Sequence, residues 1–365
     1  MDFLLCPQLS QTPLATQSAV HGALDFGELE RAGLSPDSVI DFSVNSNPFG
    51  PSPVVRAALE KTPLDRYPDR ESLALHRALA ERLDVSPNQI VVGNGTAELI
   101  WLAAFAFVKN RENVLILGPT FGEYERAVHL MLATPQLWNA LPATGFAIEL
   151  AEISRRLDIV HYPLVFLCNP NNPTGQVIPP AAILAWADSH PHTLFVVDEA
   201  YLAFVPELES VVPFERSNLL VLRSMTKDYA LAGLRLGYAV GDERLIRVLS
   251  AVCPAWNVNA FAQAAGLAAL SDEQYYQSIL AQLRDEKTFL FNGLKELGFS
   301  PVPSQTQFFL LSVDNATQFR QNLLPRGILV RDCTSFGLPE YVRISPRTRQ
   351  ENLSLLACLQ ANIYE

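Results

Sequence analysis

Paired cysteines are missing from this sequence of 365 residues. Its five cysteines are scattered and never arranged as CxxC; they are Cys6, Cys168, Cys253, Cys333 and Cys358. The odd number and the spacing argue against a disulfide framework and against a zinc site, so we expect no metal. The pattern is typical of a protein from a reducing compartment.

Long apolar runs and an excess of positive charge are also missing. The best candidate for a membrane span, residues 99–108, is shorter than the roughly 18 residues that a bilayer requires. The formal net charge of −11 and the pI of about 5.1 argue against a nucleic-acid or anionic-membrane surface. The first residues, MDFLLCPQLSQTPLATQ, lack the basic region and apolar core of a signal peptide. We therefore expect a cytoplasmic protein with no nucleic-acid or membrane partner.

Apolar residues are abundant and regularly placed. They make up 49% of the chain, against 18% charged residues, which is typical of a globular protein. Apolar runs of strand length alternate with helical patterns; the runs are QIVVG, VLILG, PLVFLC, TLFVVD, NLLVLRS and LRLGYAVG. Continuous runs are typical of strands buried on both faces. They predict an α/β fold with a mainly parallel sheet flanked by helices.

The length predicts a large domain and a smaller one, because 365 residues exceed what one simple core holds. Residues 1–50 are interpreted as an N-terminal arm and small-domain segment, and 51–260 as the large domain that carries the candidate site. Residues 261–298 are expected to form connecting helices. The tail, 299–365, is predicted to be a small α+β domain with QFFLLSV and YVRIS as strands.

A lysine lies just beyond the apolar run 219–222. Lys227 follows Ser224 by three residues and precedes Arg235 by eight. A lysine amine forms a Schiff base with an aldehyde, and a hydroxyl and a guanidinium bind phosphate. The segment therefore suits an aldehyde cofactor that carries a phosphate. Taken alone, it is equally typical of a surface lysine in a loop.

Three further clusters follow predicted strands, where open α/β sheets bind ligands. Gly95 and Thr96 open a helix, which indicates either a phosphate cradle or an ordinary strand–helix turn. Asn172 in NPNNPTG is either a ligand or a turn former. Asp198 ends FVVD, where a desolvated carboxylate is costly unless it finds a cationic partner. That partner is either a core arginine or lysine, or a protonated pyridine nitrogen, with Tyr201 donating to the neighbouring ring oxygen.

Together these residues meet the requirements of pyridoxal 5'-phosphate. Lys227 would bond to its aldehyde carbon, and Asp198 would hold its ring nitrogen. Asn172 and Tyr201 would reach the phenolic oxygen, and Phe121 would supply a stacking face. The phosphate ligands would be Gly95, Thr96, Ser224 and Arg235. The alternative for the whole chain is a binding or regulatory protein without a cofactor.

Five motifs in this order, GNGTAE, NPNNPTG, VDEAY, SMTK and GLRLGYAV, resemble the fold-type-I pyridoxal-phosphate enzymes of the aspartate aminotransferase superfamily. The resemblance covers nearly the whole chain. It implies an aspartate aminotransferase-like fold and a homodimer with active sites shared between subunits. RYPD resembles the segment whose tyrosine, here Tyr67, crosses from the partner to the cofactor. YVRIS resembles the segment whose arginine, here Arg343, binds the substrate carboxylate. A guanidinium suits this role because it can form two parallel hydrogen bonds with a carboxylate.

Two subfamilies remain open. NSNPFGPSP, which follows directly on Val44 and contains Asn45, and ILVRDCTSFGLPEYVRIS resemble histidinol-phosphate aminotransferases, in which Arg331 would contact the substrate phosphate. The His21-Gly22 pair, GPTFGEYERA, LRSMTK and PAWNVNA resemble the L-threonine-O-3-phosphate decarboxylases of cobalamin biosynthesis, and Arg347 would add a third substrate arginine. The predicted substrate-binding residues are accordingly Asn45, Arg331, Arg343, Arg347 and His21.

One segment departs from the decarboxylase pattern. Those enzymes commonly read HGGN near the N-terminus, whereas this chain reads HGALDFGE. His21 is therefore either a substrate ligand or a structural residue. The leading hypothesis is a decarboxylase (a lyase) acting on a small phosphorylated amino acid. The alternatives are an aminotransferase of the histidinol-phosphate kind and a diverged elimination or cyclisation enzyme with the same cofactor.

Overall fold

The structure, a computed structural model, describes residues 19–363. Its strands in chain order are β1 (Ile40–Asp41), β2 (Ile90–Gly93), β3 (Asn113–Gly118), β4 (Thr134–Asn139), β5 (Leu164–Cys168), β6 (Leu194–Asp198), β7 (Leu219–Ser224), β8 (Gly237–Gly241), β9 (Ser300–Pro301), β10 (Phe309–Ser312), β11 (Ile328–Leu329), β12 (Arg331–Asp332) and β13 (Tyr341–Ile344). Its α-helices are α1 (Phe26–Ala32), α2 (Pro53–Glu60), α3 (Leu73–Leu83), α4 (Gly95–Phe107), α5 (Glu123–Leu130), α6 (Leu150–Ile159), α7 (Pro180–Ser189), α8 (Glu243–Val252), α9 (Ala260–Leu270), α10 (Glu273–Glu296), α11 (Ala316–Leu323) and α12 (Arg349–Ile363).

A seven-stranded mixed sheet in the order β2-β8-β7-β6-β5-β3-β4 forms the centre of the molecule. Five strands run parallel: β4, β3, β5, β6 and β7. Strand β8 is antiparallel to both of its neighbours, β7 and β2. Strands β5 and β6 are buried at every residue, as their continuous apolar sequences predicted. The predicted α/β fold with a mainly parallel sheet is confirmed.

Strand β4 is the element of this sheet that the sequence patterns did not predict. Its sequence, TPQLWN, contains a proline and is only partly buried. Both features follow from its position at the edge of the sheet, where one side of the strand needs no backbone hydrogen bonds. An edge strand therefore carries a weaker hydrophobic signal than the central strands do.

A second sheet, in the order β12-β13-β10-β9, is antiparallel and packs with α11, α12 and the end of α10. Its core includes Phe42, Leu290 and Phe309. Near the N-terminus, β1 pairs in parallel with β11, which brings residues 40–45 alongside the C-terminal part of the chain. This arrangement forms the small α+β unit, whereas the domain boundaries at residues 50, 260 and 298 stay predictions.

Within residues 19–363, no helix combines the length and the apolar composition that crossing a membrane would require.

Candidate active site

Lys227 lies three residues beyond β7, at the carboxyl edge of the central sheet, and its Nζ is 5.9 Å from the centroid of the Tyr201 ring. Burial, together with the positive charges of Arg343 and Arg235, lowers the pKa of Lys227 to about 8. The neutral amine, which is the nucleophilic form, is therefore accessible near neutral pH.

Cofactor loading should report this lowered lysine pKa. When pyridoxal phosphate is added to cofactor-free protein, the attachment rate should rise roughly tenfold per pH unit below the pKa of about 8 and level off above it. The rise follows the neutral fraction of the amine, and stopped-flow absorbance measures it. Pyridoxal, which lacks the phosphate, serves as the control for titration of that group. A midpoint near the ordinary lysine value of 10.5 would contradict the expectation.

Asp198 ends β6 and is 3% exposed. Its Oδ2 accepts a hydrogen bond from the Tyr124 hydroxyl at 2.8 Å, and its Oδ1 accepts one from the Ala200 N–H at 3.0 Å. Burial raises the pKa of Asp198 to about 6, despite these two donors. No arginine or lysine forms an ion pair with it within residues 19–363. The charge of Lys227 acts on this carboxylate without forming an ion pair with it, so its burial fits a cationic ligand better than a core ion pair.

Tyr124 is a site residue that sequence reasoning did not single out. Its side chain is fully buried, and its ring stacks on Phe166 with 5.1 Å between centroids. It follows Phe121 by three residues at the start of α5, and the two rings meet edge to face at 5.8 Å. No helical spacing marked Tyr124 in GPTFGEYERA, because Phe121 lies before the start of α5.

Gly95, Thr96, Ser224 and Arg235 converge where β7, β8 and α4 meet. Gly95 begins α4 with a φ of +81°, and a Cβ there would lie 2.7 Å from Nη2 of Arg235. Ser224 is opposite Gly237 in the β7–β8 register, and a Cβ on Gly237 would lie 2.8 Å from the Thr96 nitrogen. The glycines thus let a guanidinium and a hydroxyl approach a helix N-terminus, an arrangement that fits a phosphate.

Thr226 adds a hydroxyl that the sequence patterns did not mark as a ligand. Its Oγ1 lies 2.8 Å from the Ser224 Oγ, and both side chains are buried. A Thr two residues after a Ser would place both hydroxyls together only if the backbone turns between them, which the sequence alone does not reveal.

Tyr201, Asn45, Asn172 and Arg343 form the opposite side of the site. The Asn45 Nδ2 donates to the Tyr201 hydroxyl at 3.3 Å, and the Arg343 Nη1 donates to the Asn172 Oδ1. Burial raises the pKa of Tyr201 to about 12, so its hydroxyl keeps its proton and can donate to a ligand oxygen.

Several buried polar atoms here have no partner within residues 19–363. They are the Asn45 Oδ1, the Arg343 Nε and the Oε1 of Gln307. Gln307, which sequence reasoning also did not single out, donates through Nε2 to the Asn45 carbonyl at 3.0 Å. Each unpaired buried polar atom costs about 1–3 kcal/mol. Asn45 contacts Tyr201, whose ring lies 5.9 Å from the Lys227 Nζ, and the charge of Arg343 acts on Lys227. Unpaired polar atoms in this position fit a polar substrate beside the predicted pyridoxal phosphate.

Arg331 and Arg343 are directly opposite each other on β12 and β13. Arg331 donates to the Val20 carbonyl at 2.7 Å and to the Ser335 hydroxyl at 2.6 Å, and Arg343 donates to the Ser43 carbonyl at 2.6 Å. Neither forms an ion pair within the described part of the chain. Burial, together with the charge of Arg343, lowers the pKa of Arg331 to about 10.

Arg347 differs from these two arginines. Its Nε pairs with the Glu351 carboxylate at 2.9 Å, and its Nη1 donates to the Asp41 carbonyl at 3.1 Å. Two of the three predicted substrate arginines thus lie together without an ion pair among the described residues, and the third has its own counterion.

Two further predicted residues are His21 and Tyr67. His21 Nε2 bonds to the Glu123 Oε1 at 2.9 Å, and its ring centroid is 5.4 Å from that of Phe121. Tyr67 is 79% exposed, with its ring 4.9 Å from that of Trp256. Its predicted crossing to a partner subunit needs a second chain and stays a prediction.

Comparisons with known proteins agree with this geometry. Residues 37–359 match the family described as aminotransferase class I and II. The histidinol-phosphate aminotransferase of Moorella thermoacetica is 34% identical over 90% of this chain and 86% of that relative, and that of Anaeromyxobacter is 36% identical over 91% and 93%.

Solved structures give the same fold. A histidinol-phosphate aminotransferase from Sinorhizobium meliloti, in complex with pyridoxal-5'-phosphate, has a TM-score of 0.88 at 23% identity and covers 100% of this chain and 99% of its own. An L-threonine-O-3-phosphate decarboxylase from Porphyromonas gingivalis has a TM-score of 0.78 at 28% identity and covers 89% and 99%. On the extent of the family match and the identity of these relatives, the chain belongs to the class I and II aminotransferase family.

Proposed function

We propose that this chain is a pyridoxal-phosphate-dependent aminotransferase that moves the amino group of histidinol phosphate, a phosphorylated amino alcohol, to a 2-oxo acid. The observation that carries the choice of substrate is the Arg331–Arg343 pair. Like charges opposite each other on neighbouring strands are destabilising, so two buried guanidinium groups without counterions are suited to an anionic ligand. A phosphate monoester and the carboxylates of a 2-oxo acid both meet that requirement.

The cofactor would be held by the residues that the structure gathers. The phosphate would lie on the Gly95–Thr96 end of α4 with Ser224 and Arg235, the ring against Phe121, and the phenolic oxygen near Asn172 and Tyr201. Tyr67 would reach it from the partner subunit of a homodimer. When bound, pyridoxal phosphate withdraws electrons from the substrate carbon that bears the amine.

Lys227 has two tasks in this proposal. Its Nζ would hold the aldehyde carbon of the cofactor through a covalent bond. When free, this amine, whose pKa is lowered to about 8, would take the proton from the substrate carbon that bears the amino group and return it during transfer. Asp198 keeps a negative charge near the cofactor ring nitrogen, and Tyr124 holds that carboxylate in place.

Substrate recognition would depend mainly on Arg331 and Arg343. Arg331 would bind the phosphate of histidinol phosphate, and Arg343 a carboxylate of the 2-oxo acid. His21 lines the same cavity as Arg331, and Asn45 lies beside Tyr201. The Arg347 guanidinium, already neutralised by Glu351, is the weakest of the predicted substrate ligands.

The decarboxylase hypothesis is less well supported than its alternative. The relatives above that exceed 30% identity over most of the chain are named histidinol-phosphate aminotransferases, whereas the decarboxylase is similar as a solved structure. The two reactions differ in which bond on the substrate carbon is perpendicular to the cofactor ring. Aminotransfer requires the C–H bond in that position, and decarboxylation requires the carboxylate.

An assay with two substrates tests the proposal. Histidinol phosphate with 2-oxoglutarate should give glutamate, and no turnover should occur when 2-oxoglutarate is omitted. O-phosphothreonine is the comparison substrate, because it carries both a phosphate and a carboxylate. Release of carbon dioxide from it without any 2-oxo acid would replace the aminotransferase proposal with the decarboxylase one.

Replacing Arg331 with alanine should separate phosphorylated from unphosphorylated substrates. The KM for histidinol phosphate should rise about 10- to 100-fold, because a hydrogen bond between charged groups is lost. The KM for histidinol, which lacks the phosphate, should change little. Steady-state kinetics with both substrates measures the difference.

The matched comparison for this substitution is Arg347→Ala. Its guanidinium already pairs with Glu351, so its removal should raise the KM for histidinol phosphate far less than removal of the Arg331 side chain does. Equal losses with both substrates in Arg331→Ala would mean that Arg331 does not bind the phosphate.

A further inference from the structure

Glu123, at the start of α5, is a buried carboxylate that the proposed reaction does not use. It is 5% exposed and accepts hydrogen bonds from the His21 Nε2 at 2.9 Å and from the Trp101 Nε1 at 2.8 Å. An Arg126 Nη1 lies 3.6 Å from the same oxygen that His21 contacts. These donors lower the pKa of Glu123, with His21 contributing most. The side chain is therefore a charged acceptor at neutral pH.

The segment that carries His21, residues 20–23, is attached to both sheets of the molecule. On one side, His21 bonds to Glu123 beside the central sheet. On the other, the Val20 carbonyl accepts from Arg331 at 2.7 Å, and the Ala23 N–H donates to the Ser43 hydroxyl at 2.8 Å. A Cβ on Gly22 would lie only 2.4 Å from the Ser43 carbonyl oxygen, so the close approach of the segment requires glycine there.

A cavity of about 430 Å³ lies beside this segment. Its lining includes His21, Ser43, Arg331, Thr334 and Ser335, which can all donate hydrogen bonds. The wall also carries the carboxylates of Asp25, Glu28 and Asp332. Arg320 pairs with Glu28, whereas Arg331 feels the charge of Asp332 but forms no ion pair among the described residues. The volume and the donors fit a phosphate monoester group.

We propose that Glu123 is a positioning residue for phosphate recognition: it holds His21, and with it the 20–23 segment, against the cavity where Arg331 binds the phosphate of the substrate. The inference rests on the proposed function and deepens it. Because Glu123 occupies the Nε2 of His21, the Nδ1 is the ring nitrogen left for the phosphate.

The charge of Glu123 is what the proposal requires. In Glu123→Gln, the side-chain oxygen can still accept from Trp101, but the amide N–H groups then face the His21 Nε2. That nitrogen must then accept instead of donate, so a neutral hydrogen bond replaces the stronger bond to a charged carboxylate and holds the segment less firmly. The Glu125→Gln variant is the matched control, since Glu125 lies on the same helix and pairs only with the half-exposed His129 among the described residues.

The test measures phosphate affinity directly, so that it does not depend on turnover. Isothermal titration of cofactor-loaded protein with inorganic phosphate should show about tenfold weaker binding for Glu123→Gln and an unchanged affinity for Glu125→Gln. The KM for histidinol phosphate should rise by a similar factor, while kcat and the KM for histidinol stay near the values of the unmodified protein. The double variant with His21→Ala should bind phosphate no more weakly than His21→Ala alone.

Three results would overturn the inference: unchanged phosphate affinity in Glu123→Gln, additive losses in the double variant, or equal losses with histidinol and histidinol phosphate. If Glu123→Gln does not fold, Gly22→Ala displaces the segment without touching Glu123 and should weaken phosphate binding similarly; unchanged affinity there would also overturn it. Failure of the proposed function looks different, because phosphate would still bind in a Glu123-dependent manner although histidinol phosphate gave no glutamate.

Discussion

Replacing Lys227 with alanine should abolish amino transfer and remove the absorbance band at about 400–430 nm that a lysine-bound cofactor gives. The covalent bond and the proton transfer both use the Nζ of this residue, so kcat should fall by about 10⁴-fold or more. Absorbance spectra and single-turnover kinetics of the cofactor-loaded proteins measure the two effects. This is the largest effect that we expect from any single substitution.

The control for this substitution is Lys295→Ala, which changes an exposed lysine on α10 and should leave both the band and the rate unchanged. A Lys227→Ala protein that kept the band would show that another amine holds the cofactor. Turnover close to that of the unmodified protein would contradict the role in proton transfer.

Replacing Asp198 with asparagine should have the second largest effect. The amide keeps the size of the carboxylate and can accept from Tyr124, but it cannot hold a negative charge beside the cofactor ring nitrogen. We expect kcat to fall by about 10²- to 10³-fold, the cost typical of losing one preorganised electrostatic contact. Steady-state kinetics with saturating cofactor measures the loss. Tyr124→Phe, which removes one of the two hydrogen bonds to Asp198, should cost about tenfold.

Replacing Asp198 with asparagine should also stabilise the protein when no cofactor is bound. Burial raises the Asp198 pKa from 3.8 to about 6, so the folded state favours the protonated form. This group therefore lowers the free energy of unfolding as pH rises from about 4 to about 6, by roughly 3 kcal/mol in total, and the loss persists at higher pH. Asparagine does not ionise and escapes that loss.

Chemical denaturation of both cofactor-free proteins at about pH 7.5 and about pH 4 tests this expectation. Asp198→Asn should be the more stable protein at the higher pH, and the difference should shrink at the lower one. A variant that was less stable at both pH values would show that Asp198 is a structural residue rather than one placed for a cationic ligand. Stability gained where activity is lost is the usual sign of a functional residue.

The residues predicted from single motifs lie where the topology requires them. Asp198 and Ser224 end neighbouring parallel strands, and Gly95 opens the helix after β2, so the carboxyl edge of the sheet gathers them. The ends of these strands could be predicted from the continuous apolar runs, because a strand buried on both faces ends where polar residues begin. The fold class, and the meeting of these residues at one edge of the sheet, were therefore predictable.

The substrate side was less predictable. Arg331, Arg343 and Arg347 formed one set on sequence alone, but the structure gives Arg347 its own carboxylate, Glu351. The sequence also could not reveal that Arg331 and Arg343 face each other, since the register between β12 and β13 depends on the turn between them. The edge strand β4 was missed for a related reason, because only its neighbours make it a strand.

By itself, the sequence determined the α/β sheet and which polar residues follow its strands. It also determined the lysine–aspartate–arginine set that suits a phosphorylated aldehyde cofactor. These properties depend on local patterns: apolar runs, helix starts and residues just beyond strands. The tertiary structure alone decided the contacts of Glu123 with His21, of Tyr124 with Asp198 and of Gln307 with Asn45. Each of these joins residues 74 to 262 positions apart. Side-chain partners over such distances are fixed by how sheets and helices pack, and no local pattern records that packing.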